Sequence, residues 1–395
     1  MTVLNRDQSI NQRDVFAASG LAKTLLLVVA IRAVVFVAGA LANYNTIPPR
    51  QPADFPPLLW TAWDGQHYVY ILQNGYPADV SHPAFYKIAF FPGYPLAGRV
   101  LATVMPPHIA LVAISNACSL IGFAFFYMWV LELAGRRTAV IGVLILATSA
   151  SAVFFCAALT EGPFFMFVSV TLWLIQRKRL YAAAVVCALA TFTRPTGAAL
   201  AGTLGMHALL HGPGPTWTRR FVHSFLIGLI ASAGGFAYWG FLTTRFHDPK
   251  VFTKAEDHWQ TLDSARVERG KQTGEPERYS KQFFIDRLSK PQAWNYGIAA
   301  IVLILTLAGF VIPGPVPKVL FLLPLAIFIM TALPNHGLRV SSVVRYESAS
   351  IPLFCAIGWW LSKLRRSGVV LVLLVLQMSL QVYYAVMFCR WIWVG

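Results

Sequence analysis

Long apolar runs separated by short polar segments dominate the chain, and that pattern predicts membrane-spanning helices. The runs fall at about 21–42, 108–132, 138–158, 163–176, 180–192, 197–211, 221–243, 294–312, 318–333, 349–363 and 367–389. Several are shorter than the ~20 residues a straight span requires. The pair 180–192 and 197–211 is interrupted by Thr193-Arg194-Pro195-Thr196-Gly197. Proline stops a helix and glycine loosens it, and a bilayer tolerates such a break only where it faces protein or a wet cavity. The expectation is an all-α polytopic membrane protein of about eleven transmembrane helices.

The segment 90–106 is apolar at Phe90-Phe91-Pro92-Gly93-Tyr94-Pro95. It reads as a helix on or dipping into the outer surface, because a span here would spoil the alternation of charge described next. The organisation expected is a tail at 1–20, an amino-terminal transmembrane module at 21–245 with a first outer loop at 43–107 carrying interfacial helices, a long outer loop at 246–293, and carboxyl-terminal helices at 294–395. The first run is long enough to span and follows a polar tail, so it reads as an anchor and not a cleaved signal.

Charge orients the bundle. Arg6, Arg13, Lys23, Arg136, Arg137, Arg177, Lys178, Arg179, Arg219, Arg220, Lys318, Lys363, Arg365 and Arg366 lie in alternate connections. They outnumber Arg50, Lys87, Arg99, Arg194, Arg339, Arg345 and Arg390 on the opposite side. Cytoplasmic loops collect lysine and arginine, whereas long loops cross largely regardless of charge. The amino terminus is therefore expected inside and the carboxyl terminus outside.

Composition narrows the class further. Of 395 residues 57% are hydrophobic and 12% charged, against about 25% charged in soluble domains. That excludes an ordinary soluble enzyme and a disordered chain. The net charge of +16 does not indicate a nucleic-acid partner, because the basic residues sit in short clusters between apolar runs. Five cysteines without CxxC spacing read as small buried residues, and the scattered histidines lack metal-ligand spacing. No metal or other cofactor is inferred, and no phosphate-binding loop points to a cytoplasmic energy source.

Outside the long loop the outer-face acids are Asp54, Asp64, Asp79, Glu161 and Glu347. Asp64 opens Trp63-Asp64-Gly65-Gln66-His67-Tyr68. It is either a helix N-cap, with Gly75 and Pro77 ending the helix, or a carboxylate placed to take a proton from a sugar hydroxyl, flanked by Trp63, His67 and Tyr68. Glu161, in Thr160-Glu161-Gly162-Pro163, either caps the next helix or orients an acceptor hydroxyl. Arg194 at the helix break bonds freed carbonyls or lipid headgroups, or binds phosphate. His336, Arg339, Arg345 and Tyr346 share one outer segment. There Arg345 and Glu347 form a local pair, or the arginines form a cationic patch for a lipid phosphate. Arg32, in mid-span, is expected to face the bundle and satisfy carbonyls.

Trp63-Asp64 with His67-Tyr68 and Gly75-Tyr76, followed by Phe90-Phe91-Pro92-Gly93-Tyr94-Pro95, resembles the first luminal loop of the PIG-V family. These are the GPI mannosyltransferase 2 proteins and their bacterial relatives, within the GT-C glycosyltransferases. Thr160-Glu161-Gly162, Arg194-Pro195-Thr196-Gly197, and Arg345-Tyr346 ahead of Pro352-Leu353-Phe354 are similar too, in the expected order. The resemblance covers roughly 20–360. It implies a GT-C-like bundle in a bacterial-type cell membrane, with an inverting site on its outer face and Asp64 as the catalytic carboxylate. The partners it implies are a polyprenyl-phosphate sugar donor, typically of mannose, a lipid or glycan acceptor, and membrane lipid. Between Tyr76 and Phe90 this chain carries Pro77, His82 and Pro83 where eukaryotic members are acidic, so the resemblance leaves the acceptor open. The rivals are a polytopic lipid or glycan transporter or flippase, disfavoured because no internal repeat is seen and the polar motifs gather on one side, and a polyprenyl-diphosphate glycan ligase.

Overall fold

A computed structural model describes residues 4–44, 60–257, 293–332, 342–392 and 394. The sequence-derived candidates Asp54, His336 and Arg339 lie outside the described residues. The described chain is helical, and helices form at all eleven apolar runs and at three shorter segments outside them. In chain order these are α1 (Leu4–Tyr44), α2 (Asp64–Asn74), α3 (Gly93–Leu101), α4 (Pro107–Ala134), α5 (Arg136–Thr148), α6 (Glu161–Gln176), α7 (Leu180–Thr193), α8 (Gly197–His211), α9 (Trp217–Phe246), α10 (Ala293–Gly309), α11 (Leu322–Ala332), α12 (Val343–Glu347), α13 (Ile351–Lys363) and α14 (Ser367–Cys389).

By length and composition four segments can cross a membrane: 18–42 within α1, and the whole of α4, α9 and α14. Their outward faces carry exposed Leu26, Val29, Val34 and Val37 on α1, Phe221, Phe225 and Phe236 on α9, and Leu371, Val372, Val375 and Leu376 on α14. Water would reject so continuous an apolar belt, whereas acyl chains accept it. The other seven apolar runs give helices of 11 to 17 residues, packed among the long ones. The run 138–158 is one of these: it breaks at Ser149 into α5 and a 3-10 turn at Ala150–Phe155.

Helix α6 is enclosed nearly all round, as expected for a helix with no polar face. Its start is pressed against α4, since a Cβ at Gly162 would lie 2.2 Å from the Ser115 carbonyl oxygen. Between α4 and α5, Gly135 takes φ +81 and reverses the chain in one residue, a conformation natural only to glycine. Arg32 faces the bundle as expected. It donates to the Asn116 carbonyl and side-chain oxygens at 3.3 and 3.2 Å and to Ser119 Oγ at 2.8 Å.

Residues 60–106 form a cap of short pieces. The nine residues of α3 are too few to span and pack on α2 and α4. Arg99 on α3 donates to the Leu72 and Ile71 carbonyls at the end of α2, at 3.0 and 3.3 Å, where a cation complements the helix dipole. Tyr94 donates to the Leu111 carbonyl at 2.7 Å, and Tyr238 on α9 to the Ile88 carbonyl at 2.7 Å. The start of the long loop folds back onto this cap. Residues 251–257 are helical, and Val251 and Ala255 are buried with Phe85, Ile88, Tyr238 and Leu242.

Candidate active site

Asp64 is held by an unusual entry into α2. Trp60 and Trp63 both adopt positive φ, +66 and +61, a region that costs a bulky residue energy and persists only where its surroundings impose it. Those surroundings are visible. Trp60 stacks on Phe388 at 6.0 Å and tilts against Phe36 at 4.9 Å, and its carbonyl accepts from Ala158 N at 2.7 Å. Trp63 packs against Trp391 at 5.9 Å. Gly65 then lets the strand of backbone close on the turn before α6, where a Cβ would meet the Ala158 carbonyl oxygen at 3.3 Å. The first loop and the Thr160-Glu161-Gly162 turn are thus locked together. Asp64 is the first residue of α2 and not its cap; the cap position is Trp63, and no side chain caps the helix. Glu161 likewise opens α6 without a capping bond from Thr160.

Four of the sequence-derived residues meet in one ion-pair network. Arg345 donates from Nη1 to Asp64 Oδ2 at 2.5 Å, from Nε to Glu161 Oε1 at 2.5 Å, and from Nη2 to Glu161 Oε2 at 3.3 Å. Arg194 Nη1 donates to Glu161 Oε1 at 3.1 Å. The Arg345, Arg194 and Glu161 side chains are 3%, 6% and 0% exposed, whereas Asp64 is 24% exposed. Two guanidiniums therefore balance two carboxylates in a buried cluster, and Asp64 is the member that reaches solvent. Burial opposes the charge on Arg345, but Glu161 and Asp64 outweigh it and hold the guanidinium above the ordinary arginine range. Tyr346 completes the group, with the Arg194 guanidinium 4.5 Å and that of Arg345 5.6 Å from its ring centre.

The contacts of the two arginines differ from each alternative left open by the sequence. The local Arg345–Glu347 pair does not form. Glu347 is instead bonded by Ser350 Oγ, and burial pushes its carboxyl up to about 8. Arg194 stands at the break between α7 and α8 in extended backbone, and its side chain bonds Glu161. The Phe-Pro-Gly-Tyr-Pro segment supports that break: a Cβ at Gly93 would lie 2.8 Å from the Phe192 carbonyl oxygen and 3.0 Å from Thr193 Oγ1.

Tyr68 and His67 lie one turn beyond Asp64 on α2, the spacing that puts side chains on one helix face. Tyr68 is buried edge-on to Phe90 and Tyr94 at 5.3 and 5.2 Å. Burial, reinforced by Asp64, keeps its phenol protonated well above the usual tyrosine range. His67 Nδ1 lies 2.9 Å from Lys87 Nζ.

Two groups near the site were not singled out from the sequence. Lys87 sits in an apolar run and is 5% exposed. Glu256, in the helical start of the long loop, has its carboxyl pushed up by burial and then by Asp257 and Asp64. Among the described residues no group of three His, Cys, Asp or Glu side chains is placed to hold a metal.

Two curated relatives agree with the resemblance read from the motifs. A stretch covering 38% of this chain is 27% identical to GPI alpha-1,6-mannosyltransferase 2 of Homo sapiens, and the same holds for the Cricetulus griseus protein. The match spans 31% of each relative, under a third of its length. No protein-family profile matches the chain. Among solved structures, an oligosaccharyltransferase from Archaeoglobus fulgidus aligns with a TM-score of 0.46 and 14% identity, over 91% of this chain and 53% of that one.

Proposed function

We propose that this chain is an inverting glycosyltransferase of the membrane. It moves a sugar, mannose by its likeness to the mannosyltransferases, from a polyprenyl-phosphate donor to a lipid or glycan acceptor on the non-cytoplasmic face. One observation carries the reading: Asp64 is a carboxylate fixed on one oxygen by Arg345 and open to solvent, above a buried and otherwise charge-balanced cluster.

In an inverting transfer the acceptor hydroxyl attacks the anomeric carbon opposite the leaving phosphate and gives up its proton as the new bond forms. A carboxylate within about 2.6–3.2 Å of that hydroxyl serves as general base. Asp64 takes this role. Arg345 keeps it aimed, while Glu161 anchors Arg345 from below and Arg194 balances Glu161. Arg194 and Arg345 are engaged by the two acids, and they serve the site by positioning them. Trp63, His67, Tyr68 and Tyr346 line the binding surface, and His336 and Arg339 are assigned to the same surface from the sequence.

Incubating the purified protein with labelled polyprenyl-phosphate mannose and a lipid extract tests the reading. Transfer of label with inverted anomeric configuration is expected. Failure to transfer from any polyprenyl-phosphate sugar would overturn it.

A further inference from the structure

We propose that Lys87 and His67 bind a phosphate group of a lipid-linked substrate next to Asp64. The inference rests on the transferase reading for the identity of the substrate, but its geometry stands apart from the Asp64–Arg345–Glu161–Arg194 network.

Lys87 is the buried cation of the first outer loop. Its ammonium lies 2.9 Å from His67 Nδ1 and donates to Tyr86 Oη at 3.2 Å. It also sits 4.4 and 4.9 Å from the ring centres of Tyr70 and Tyr86. Among the described residues no carboxylate forms an ion pair with it, in contrast to Arg345, Arg194, Arg177 and Lys254. An ammonium taken out of water without an anion is costly, and in a protein such a group either meets an anion or drops its proton. Burial accordingly lowers Lys87 to about 8, so near neutral pH it keeps most of its charge.

The arginines present the opposite case. Glu161 and Asp64 already occupy the Arg345 guanidinium, and Glu161 occupies Arg194. A phosphate at those residues would have to displace or crowd a carboxylate, whereas at Lys87 it would supply the missing anion. Lysine is a compact point charge suited to phosphate oxygens, and His67 offers a ring nitrogen beside it. Position fits as well. His67 follows Asp64 by three residues on α2, and residues at that spacing have Cβ atoms about 5–6 Å apart. A phosphate on Lys87 and His67 therefore lies one helical turn from the base.

The phosphate belongs either to the donor or to the acceptor lipid, and kinetics separate the two. Lys87→Gln and His67→Gln are to be measured with varied polyprenyl-phosphate sugar and, separately, varied acceptor. Loss of a charge-assisted hydrogen bond predicts a rise of about ten-fold or more in one KM, with kcat much less affected and partial recovery in Lys87→Arg. A rise in the donor KM assigns the site to the donor, and a rise in the acceptor KM assigns it to the acceptor. A parallel measurement needs no turnover: binding of polyprenyl phosphate to protein in nanodiscs should weaken in Lys87→Gln if the site is the donor's. Thermal unfolding identifies variants that fail to fold, and the His67 variants then stand in for those of Lys87. If both glutamine variants fold and leave both KM values unchanged, the inference is overturned while the transferase reading stands. If the wild-type protein transfers no sugar, the transferase reading fails first. Binding of polyprenyl phosphate and of the acceptor lipid that is indifferent to Lys87 in both cases would then overturn the inference as well.

Discussion

Arg345 Nη1 bonds Asp64 Oδ2 at 2.5 Å although 281 residues separate the two in the chain. The carboxylate assigned as base is thus oriented by a five-residue helix from the far end of the protein, and its direction depends on a contact that no local motif encodes. The same guanidinium holds Glu161, so the two acids cannot be altered independently of one another.

That dependence separates the roles of the acids. Asp64→Asn keeps shape and removes basicity, and turnover should fall by about 10²–10⁴-fold, the contribution of a general base. Donor KM should change little. If Asp64→Asn retains near-normal turnover while Glu161→Gln is inactive, the base is Glu161.

Removing Arg345 leaves Glu161, 0% exposed, with Arg194 alone and leaves Asp64 without its cation. Breaking a buried pair by deleting one partner costs about 3–5 kcal/mol, so Arg345→Met should lower the unfolding temperature markedly. Pairing it with Asp64→Asn should recover part of that loss, because Glu161 and Arg194 then remain as a matched pair. Measurements of Tm on the two single variants and the double variant read this out directly; additive losses would argue against the pairing.

Close packing behind Glu161 gives a third expectation. Gly162→Ala places a methyl 2.2 Å from the Ser115 carbonyl oxygen, and overpacking of this kind costs about 1–3 kcal/mol. It should also shift the start of α6 and lower turnover. Gly202→Ala, where nothing lies within 4 Å of the new methyl, should leave both stability and activity unchanged.

Glu347 should make stability depend on pH. Its carboxyl is raised from 4.5 to about 8 by burial, and among the described residues its Oε1 has no hydrogen-bond partner. The folded protein therefore binds more protons than the unfolded chain between those values. The stability this group contributes is complete below pH 4.5 and is lost as pH rises through about 8. Tm should fall across that window, and the slope should flatten in Glu347→Gln.

The side of the membrane can be read by labelling. A cysteine at Gln66 should react with an impermeant thiol reagent in intact cells, and one at Lys178 only after lysis, because basic clusters mark cytoplasmic ends. The reverse pattern would invert the topology. Background should be low, since Cys156, Cys187, Cys355 and Cys389 are buried and Cys118 is half-buried.

Much of this was legible in the sequence because charge is scarce there. In a chain so apolar, each isolated acid or arginine outside the loops stands out, and Asp64, Glu161, Arg194, Arg345 and Tyr346 do converge. The pairing was not legible. Arg345 has Glu347 two residues away, yet its partners lie 184 and 281 residues distant, and hydrophobic periodicity carries no record of which helix ends meet. Lys87 escaped notice for a related reason. Within Phe85-Tyr86-Lys87-Ile88 it reads as one more basic residue in the topological balance, and only its burial beside His67 distinguishes it. Apolar length also says where helices form more readily than how far each crosses, which is why seven of the eleven runs became short helices packed among the long ones.

The order in which the network's members are made has a consequence for biogenesis. Asp64, Glu161 and Arg194 are synthesised and inserted well before Arg345. Until α12 arrives, the nascent bundle holds two acids against one arginine, with Glu161 at the enclosed start of α6. That imbalance favours a loose, hydrated intermediate over premature closure of the bundle. Arg345 then acts as a keystone: the charges of the cluster are matched only once the last helices are in place.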